Sequence, residues 1–221
     1  MPPRPPVPLL VASIGNPTPA YRNTLHSAGH HVLAEIRALL RLTDFQPSPA
    51  LGGGLVTRTA GSRGNVGDDW TLWQSESLMN VSGTGVKKAL NAWRQGRGPA
   101  PARGGTFSWM GWSREDFKPE GKPKDGELVV VHDELELDLG RVRVRRGGSA
   151  RGHNGLRSIM TAVGNTPFIR IGIGIGRPAS REPNAVAEYV LRRMTPREKK
   201  IIEGTADEVI ELLRDIAEGK R

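Results

Sequence analysis

The stretch VVVHDELELDLGRVRVRRGGSARGHNGL, residues 129–156, holds more chemically capable side chains than any other part of the chain. It begins as a buried apolar strand and continues through an acidic turn into a strand of alternating Arg and Val. It ends in a glycine-rich loop that leads into a helix. We interpret the rest of the chain as a fold that supports and completes this segment.

Hydrophobic periodicity predicts the elements around this segment. Short apolar runs predict strands, and apolar residues three or four apart predict helices. The predicted strands are 8–14, 55–59, 70–74, 127–132, 141–146 and 169–175, and the predicted helices are 27–42, 86–96, 154–163 and an amphipathic C-terminal helix at 196–217. Strands that alternate with helices predict one three-layer α/β/α domain over residues 1–221, built around a mixed, mostly parallel twisted sheet.

Residues 94–126 are rich in Gly, Pro and Arg and fit neither period. The stretch is longer than ordinary connections, so we interpret it as an insertion between core elements. It contains the aromatic cluster FSWMGW at 107–112, which we expect to pack on the body of the protein or near the substrate, since such a cluster is unfavourable in water.

Composition narrows the class of protein. The 221 residues suffice for one sizeable core, and the sequence has no cysteine, which excludes disulfides and thiolate metal sites. No run of about 18 apolar residues occurs, so we expect no membrane span. The start MPPRPPVPLL has neither a signal-peptide apolar region nor an amphipathic transit helix. We therefore expect an intracellular protein.

The positive charge of the chain is unevenly distributed. The net charge is +9, and nine arginines but no acidic residue lie between Asp138 and Glu182. A local basic field of this kind attracts polyanions, nucleic acid above all. A generally basic surface is the alternative that composition alone leaves open.

Candidate catalytic groups lie at predicted strand ends and helix starts. Asp133 directly follows the buried strand, and His26, His132 and His153 lie in comparable places. A carboxylate that hydrogen-bonds an imidazole fixes its tautomer and raises its basicity, so that the imidazole can take a proton from water. At this point it stays open which histidine, if any, meets Asp133, or whether Asp133 only caps a turn.

Three asparagines, Asn16, Asn80 and Asn154, flank predicted elements in positions where an amide can hold a carbonyl, a water or a ribose hydroxyl. Singly, each is more often a turn or cap residue. Together with a His and an Asp they outline a hydrolytic site that needs no metal and no covalent nucleophile. His26 and His30 could share a metal, but no third ligand is evident, and GGSARG lacks dinucleotide-binding spacing.

Four motifs in this order resemble the bacterial-type peptidyl-tRNA hydrolases: IGNPTPAYRNTLHSAG (14–29), LMNVSG (78–83), the 129–156 segment and FIRIGIGIGRP (168–178). The resemblance covers most of residues 8–195 apart from the insertion. It implies a single α/β/α domain that hydrolyses the ester between a peptide and the 3′-terminal ribose of tRNA. The implied partner is peptidyl-tRNA. We further expect a monomer without cofactor or metal, in the cytoplasm or the mitochondrion.

The resemblance also implies roles for single residues. His26 would be the general base that activates water, and Asp133 the carboxylate that orients it. The implied substrate-binding positions are Asn16, Tyr21, Asn80, His153 and Asn154. The implied tRNA phosphate-binding residues are Arg143, Arg145 and Arg170.

Three positions depart from the family pattern. Leu25 and Ser27 stand where the family usually has arginine and asparagine, and Gly172 stands at a usual arginine. These departures, with the insertion, motivate an alternative: a non-catalytic RNA-binding or splicing-related protein on the same fold. The retained set of polar residues argues against it, because a scaffold has no physical need for all of them. A generic hydrolase of small esters would not explain the arginine run.

Overall fold

A computed structural model describes residues 6–59, 68–96 and 126–221. The strands within these ranges are β1 (Leu9–Ser13), β2 (Gln46–Ser48), β3 (Gly54–Arg58), β4 (Trp70–Gln74), β5 (Glu127–Glu134), β6 (Val142–Arg146) and β7 (Ile169–Gly174). The helices are α1 (Ala28–Leu39), α2 (Ser82–Gln95), α3 (Asn154–Val163), α4 (Pro183–Leu191), α5 (Pro196–Glu203) and α6 (Ala206–Ala217). Short 3₁₀ turns occupy Leu25–Ser27, Pro49–Leu51 and Met79–Val81.

The strands form one mixed sheet in the order β2-β3-β4-β1-β5-β7-β6. The central strands β4, β1, β5 and β7 pair in parallel, and antiparallel pairings occur toward both edges. Five of the seven strands therefore run in one direction, and the predicted mixed sheet is confirmed. The apolar strand β5 lies between β1 and β7, in the parallel part of the sheet whose two faces are both covered by helices, which is why its side chains are buried on both faces.

Helices cover both faces of the sheet. Side chains alternate between faces along a strand, so Val129 and Val131 of β5 join one core while Leu128 and Val130 join the other. The first core also contains residues of α1, α5 and α6, and the second contains residues of α2 and α3. The predicted three-layer α/β/α architecture is confirmed.

The structure differs from the sequence-based expectation in some element ends and in three elements. Asp133 belongs to β5 instead of following it, and α2 begins at Ser82, ahead of the predicted start at 86. The region expected to be one helix, 196–217, is divided into α5 and α6, because the buried Thr205 hydroxyl turns back to the carbonyl of Ile202 at 2.7 Å and Gly204 ends α5. The predicted start of α5 is confirmed as a capping box between Thr195 and Glu198. The short edge strand β2 and helix α4 were not expected. The 107–112 aromatic cluster and most of the 94–126 stretch lie outside the described residues.

None of the helices in the described ranges is long and apolar enough to cross a membrane.

Candidate active site

The carboxyl ends of β1 and β5 open into a pocket of about 680 Å³. This is the edge at which open α/β sheets bind their ligands. Nine of the ten residues singled out from the sequence line the pocket: Asn16, Tyr21, His26, Asn80, Asp133, Arg145, His153, Asn154 and Arg170. The tenth, Arg143, is exposed on the edge strand β6, outside the pocket lining.

His26 and Asp133 form the hydrogen-bonded pair that the sequence could not assign. His26 lies in the 3₁₀ turn before α1, and its Nδ1 atom is 2.9 Å from each carboxylate oxygen of Asp133. An ionised carboxylate only accepts hydrogen bonds, so Nδ1 carries the proton. The lone pair of His26 is therefore on Nε2.

His153 also meets Asp133. Its Nε2 atom lies 3.0 Å from Oδ1 of Asp133, and its Nδ1 atom accepts a hydrogen bond at 3.3 Å from the backbone N–H of Leu156. The second contact makes His153 the N-cap of α3 and requires a lone pair on Nδ1, which leaves the proton on Nε2. Asp133 thus accepts from two imidazoles, one from each side of the sheet.

The electrostatics of this cluster follow from burial and from these contacts. Burial alone would raise the pKa of Asp133, but the charges of His26 and His153 and their hydrogen bonds hold it well below its usual range. Burial disfavours protonation of His26, yet the charge and hydrogen bond of Asp133 outweigh burial and raise the pKa of His26. Asp133 therefore stays ionised at neutral pH and makes His26 a stronger base.

His132 does not share this role. It is buried on the opposite face of β5 from Asp133, and its Nδ1 atom donates at 2.6 Å to the carbonyl of Asp133. Burial and the neighbouring His153 lower its pKa to about 3, so the ring stays neutral. Its ring edge packs against His153, with centroids 5.1 Å apart. We interpret it as support for His153.

The donor atoms of His26, Asp133 and His153 lie within 4.8 Å of one another, a spacing that a metal ion could also use. The N–O distances of 2.9–3.0 Å are hydrogen-bond distances. The nitrogens that face Asp133 carry protons in this arrangement, and a metal ligand needs a lone pair there. The geometry accordingly fits a hydrogen-bonded triad.

Asn16 is held at the base of the pocket from two sides. Its side-chain Oδ1 accepts from the backbone N–H of Met79 at 2.8 Å, and its own backbone N–H donates to Oγ of Ser27 at 3.2 Å. Ser27 in turn donates to the carbonyl of Tyr21 at 3.0 Å. Because Oδ1 is occupied, the NH₂ group of Asn16 is the part of the amide left for a ligand.

Asn80 and Asn154 are exposed at the pocket rim. Asn80 lies in the 3₁₀ turn before α2, and Asn154 is the first residue of α3. Tyr21 is 39% exposed beside them. All the predicted substrate-binding positions therefore face one opening, and their roles there stay predictions.

Arg145 and Arg170 are cross-strand partners on β6 and β7, and Arg143 is opposite Gly172 in the same pairing. Arg145 lines the pocket and is partly exposed. Arg170 is only 6% exposed. Of the three arginines expected to bind phosphate, Arg143 and Arg145 are thus accessible from solvent, whereas Arg170 borders the pocket but is nearly buried.

The departures at Leu25 and Ser27 have structural explanations. Leu25 is fully buried in the core shared with α1, so an apolar side chain suits this position. Ser27 is also fully buried, and its single hydroxyl serves both Asn16 and Tyr21. At Gly172 a Cβ atom would lie 3.0 Å from Cβ of Glu134, so this chain has little room for a side chain there.

Sequence reasoning missed one wall of the pocket. Helix α4 supplies apolar residues to the lining: Pro183, Val186, Ala187, Val190 and Leu191. The pairs 186/190 and 187/191 have helical spacing, and Pro183 stands at a position that favours a helix start, so the signal was present in the sequence. The wall adds an apolar part to a pocket whose other lining includes the polar cluster.

The chain is similar to known proteins over most of its length. The family model described as peptidyl-tRNA hydrolase matches residues 10–96 and 116–221. The chain is 37% identical over 216 residues to a peptidyl-tRNA hydrolase of Frankia casuarinae, an alignment that covers 94% of this chain and 89% of that one. It is 34% identical to a probable peptidyl-tRNA hydrolase of Schizosaccharomyces pombe, with 88% and 75% covered.

The fold is likewise similar to solved structures. The crystal structure of peptidyl-tRNA hydrolase from Acinetobacter baumannii superposes with a TM-score of 0.67 at 26% identity. That superposition covers 96% of this chain and 90% of the other.

Proposed function

Because the chain belongs to the peptidyl-tRNA hydrolase family, we propose that it hydrolyses the ester joining a peptide to the 3′-terminal ribose of tRNA. The observation that carries the proposal is the hydrogen bond between His26 and the buried, ionised Asp133 at the wall of the pocket. A histidine so oriented is a general base that works near neutral pH.

The reaction follows from the tautomer of His26. Asp133 keeps the proton on Nδ1, so Nε2 takes a proton from water while the water oxygen attacks the ester carbonyl carbon. The tetrahedral intermediate then collapses, and the bond between that carbon and the ribose oxygen breaks. His26 returns its proton to the leaving oxygen, which yields a free peptide acid and a tRNA with a free 3′-terminal hydroxyl.

Asn16 is suited to the ester or peptide carbonyl, because its Oδ1 is fixed by Met79 and only its NH₂ group can turn to the substrate. Asn80, Asn154 and Tyr21 lie at the same opening and are proposed to hold the rest of the substrate. His153 faces the pocket as well, but its two ring nitrogens are engaged with Asp133 and Leu156, so we propose that it contributes by holding Asp133.

For the tRNA, Arg145 is the best-placed phosphate ligand, because it lies at the pocket and is accessible. Arg143 projects from the exposed edge strand opposite Gly172, so it can supply a cation beside the place where the family usually has its arginine. The phosphate contact of Arg170 stays a prediction, and the burial of the Arg170 side chain argues against it.

A direct experiment is cleavage of a defined N-acetyl-aminoacyl-tRNA by the purified protein. Release of the acetylated amino acid, undiminished by EDTA, is the expected result, since no metal is proposed in the mechanism. Binding of tRNA with no cleavage above background would instead favour the non-catalytic RNA-binding protein that the departures at Leu25, Ser27 and Gly172 suggested.

We also propose that the protein acts as a single-domain monomer. The proposed catalytic and substrate-binding residues come together within one chain. Light scattering of the active protein, alone and with tRNA, would measure this directly.

A further inference from the structure

Arg170 is placed unlike a ligand for an outside anion. It lies on β7, is 6% exposed, and points its guanidinium into the loop of residues 147–152. Its Nη1 atom donates to the carbonyl of Ser149 at 2.8 Å, and its Nη2 atom donates to the carbonyl of Gly147. The planar fork of one arginine thus bridges two backbone carbonyls of the same loop.

The loop is shaped around this guanidinium. Gly147 and Gly148 have φ of 67° and 84°, in the left-handed region that favours glycine. A Cβ atom at Gly148 would lie 2.7 Å from Nη2 of Arg170. Glycine at 148 therefore suits the left-handed backbone, and it lets the loop approach the guanidinium, which a Cβ atom would displace.

The same loop leads directly to His153, which contacts Asp133. Its Ala150 carbonyl accepts from the backbone N–H of His153 at 2.9 Å, and the helix of Asn154 begins immediately afterwards. His153 then reaches Asp133 through Nε2. A continuous set of contacts runs from Arg170 through the loop to the carboxylate that orients His26.

We propose that Arg170 is a positioning residue, which fixes the 147–152 loop and through it His153 and Asn154, and that it is not a phosphate ligand for tRNA. This inference rests on the proposed function for its kinetic readout. The two carbonyls take up the Nη1 and Nη2 ends of the fork, and the burial of the side chain leaves little surface for an outside phosphate. Arg145, across the strand pair, carries the phosphate contact instead.

The test compares Arg170→Met with Arg145→Ala and with the remote control Arg37→Met, which removes one arginine from α1. Three quantities are measured: kcat on N-acetyl-aminoacyl-tRNA, the Kd for deacylated tRNA as a function of salt, and the amide resonances of Gly148, Gly152 and Leu156. The resonances report the loop directly and do not depend on catalysis.

For Arg170→Met we expect kcat to fall roughly ten- to a hundredfold, as small misplacements of positioning groups do. The salt dependence of tRNA binding should match that of Arg37→Met, and the three amide resonances should move. Arg170→Lys should recover only part of kcat, because an ammonium cannot bridge two carbonyls as a planar fork does. A salt dependence flattened as in Arg145→Ala, with resonances in place, would overturn the proposal.

Gly148→Ala is a second test variant, to be used if Arg170→Met does not fold. It keeps every charge and displaces the loop from the guanidinium, so it should lower kcat and shift the resonances of Gly152 and Leu156 without altering the salt dependence. Unmoved Gly152 and Leu156 resonances in a folded Gly148→Ala protein would contradict the proposed link between Arg170 and the start of α3. Absence of cleavage by the wild type would refute the proposed function, whereas the resonance test of the loop would still stand.

Discussion

The Nδ1 atom of His26 lies 2.9 Å from both carboxylate oxygens of Asp133, although 107 positions separate the two residues in the chain. The contact exists because β1 and β5 are adjacent parallel strands and the turn after β1 returns across the end of β5. Gly29 lets α1 begin directly on that strand, since a Cβ atom there would lie 2.5 Å from the carbonyl oxygen of Val131.

Replacement of His26 by alanine is expected to lower kcat roughly 100- to 10,000-fold, the usual contribution of a general base. Binding of deacylated tRNA should change little, because His26 contacts no proposed phosphate ligand. Initial rates and tRNA titrations check both statements. His31→Ala is the matched control, since His31 is outside the pocket lining and bonds to Glu203 instead. Turnover equal to the wild type in His26→Ala would refute the role of His26.

Replacement of Asp133 by asparagine should change the pH profile as well as the rate. In the wild type Asp133 raises the pKa of His26 above its ordinary 6.5, and the active form is the neutral imidazole, so the rate should rise with pH through that raised pKa. Without the carboxylate charge only burial remains, which lowers the pKa of His26. In Asp133→Asn the midpoint of kcat/KM against pH should therefore move to lower pH, while the plateau falls roughly a hundredfold or more. An unmoved midpoint would contradict the assignment.

Arg145→Ala should weaken tRNA binding for every tRNA sequence tested. Loss of one phosphate contact is expected to reduce the slope of log Kd against log salt by about one. Fluorescence titrations at several salt concentrations measure this, with Arg37→Ala as a control for net charge. Equal slopes of log Kd against log salt in the two variants would show that Arg145 does not contact a phosphate of the tRNA.

Ser27→Ala should damage the substrate pocket while His26 is still present. The change leaves the backbone N–H of Asn16 without its partner, and an unsatisfied buried group costs about 1–3 kcal/mol. The carbonyl of Tyr21 loses one of its bonds but still accepts from the hydroxyl and the backbone N–H of Thr24. We expect a higher KM together with a lower unfolding free energy. Thr57→Val removes a buried hydroxyl that bonds to Thr43, far from the pocket, and should reproduce the stability loss alone. A KM unchanged in Ser27→Ala would show that the hydroxyl is only structural.

Gly29→Ala should separate the catalytic pair. The added methyl group would push the start of α1 from β5, with a stability cost of about 1–3 kcal/mol for overpacking and a fall in kcat. Gly54→Ala is the matched control, because its Cβ would meet the ring of Trp73 at 2.2 Å, on a strand outside the pocket lining. Denaturant titrations and kinetics together separate the two effects. Equal kcat in both variants would argue that Gly29 does not set the position of His26.

Much of the fold was predictable because it depends on local periodicity. The runs that became β1 and β5 contain successive apolar residues, and β7 has isoleucine at every second position. Helix α3 has helical spacing between a capping histidine and Gly164. The prediction of a single C-terminal helix failed for a local reason as well. The hydroxyl of Thr205 bonds to the carbonyl of Ile202 between α5 and α6, and hydrophobic periodicity does not show such a contact. Helix α4 was missed because its apolar spacing is short and weak.

The candidate site, too, was predictable only in part. The sequence by itself determined which groups are available, since His26, Asp133 and the three asparagines stand at strand ends and helix starts where side chains reach an opening. It could not decide that Asp133 meets both His26 and His153, because strand order in the sheet brings these distant segments together. Nor could it show that, of these two pocket arginines, Arg170 is buried and binds carbonyls of the 147–152 loop while Arg145 is partly exposed. Two arginines on paired strands have the same local pattern, so only the tertiary structure distinguishes them.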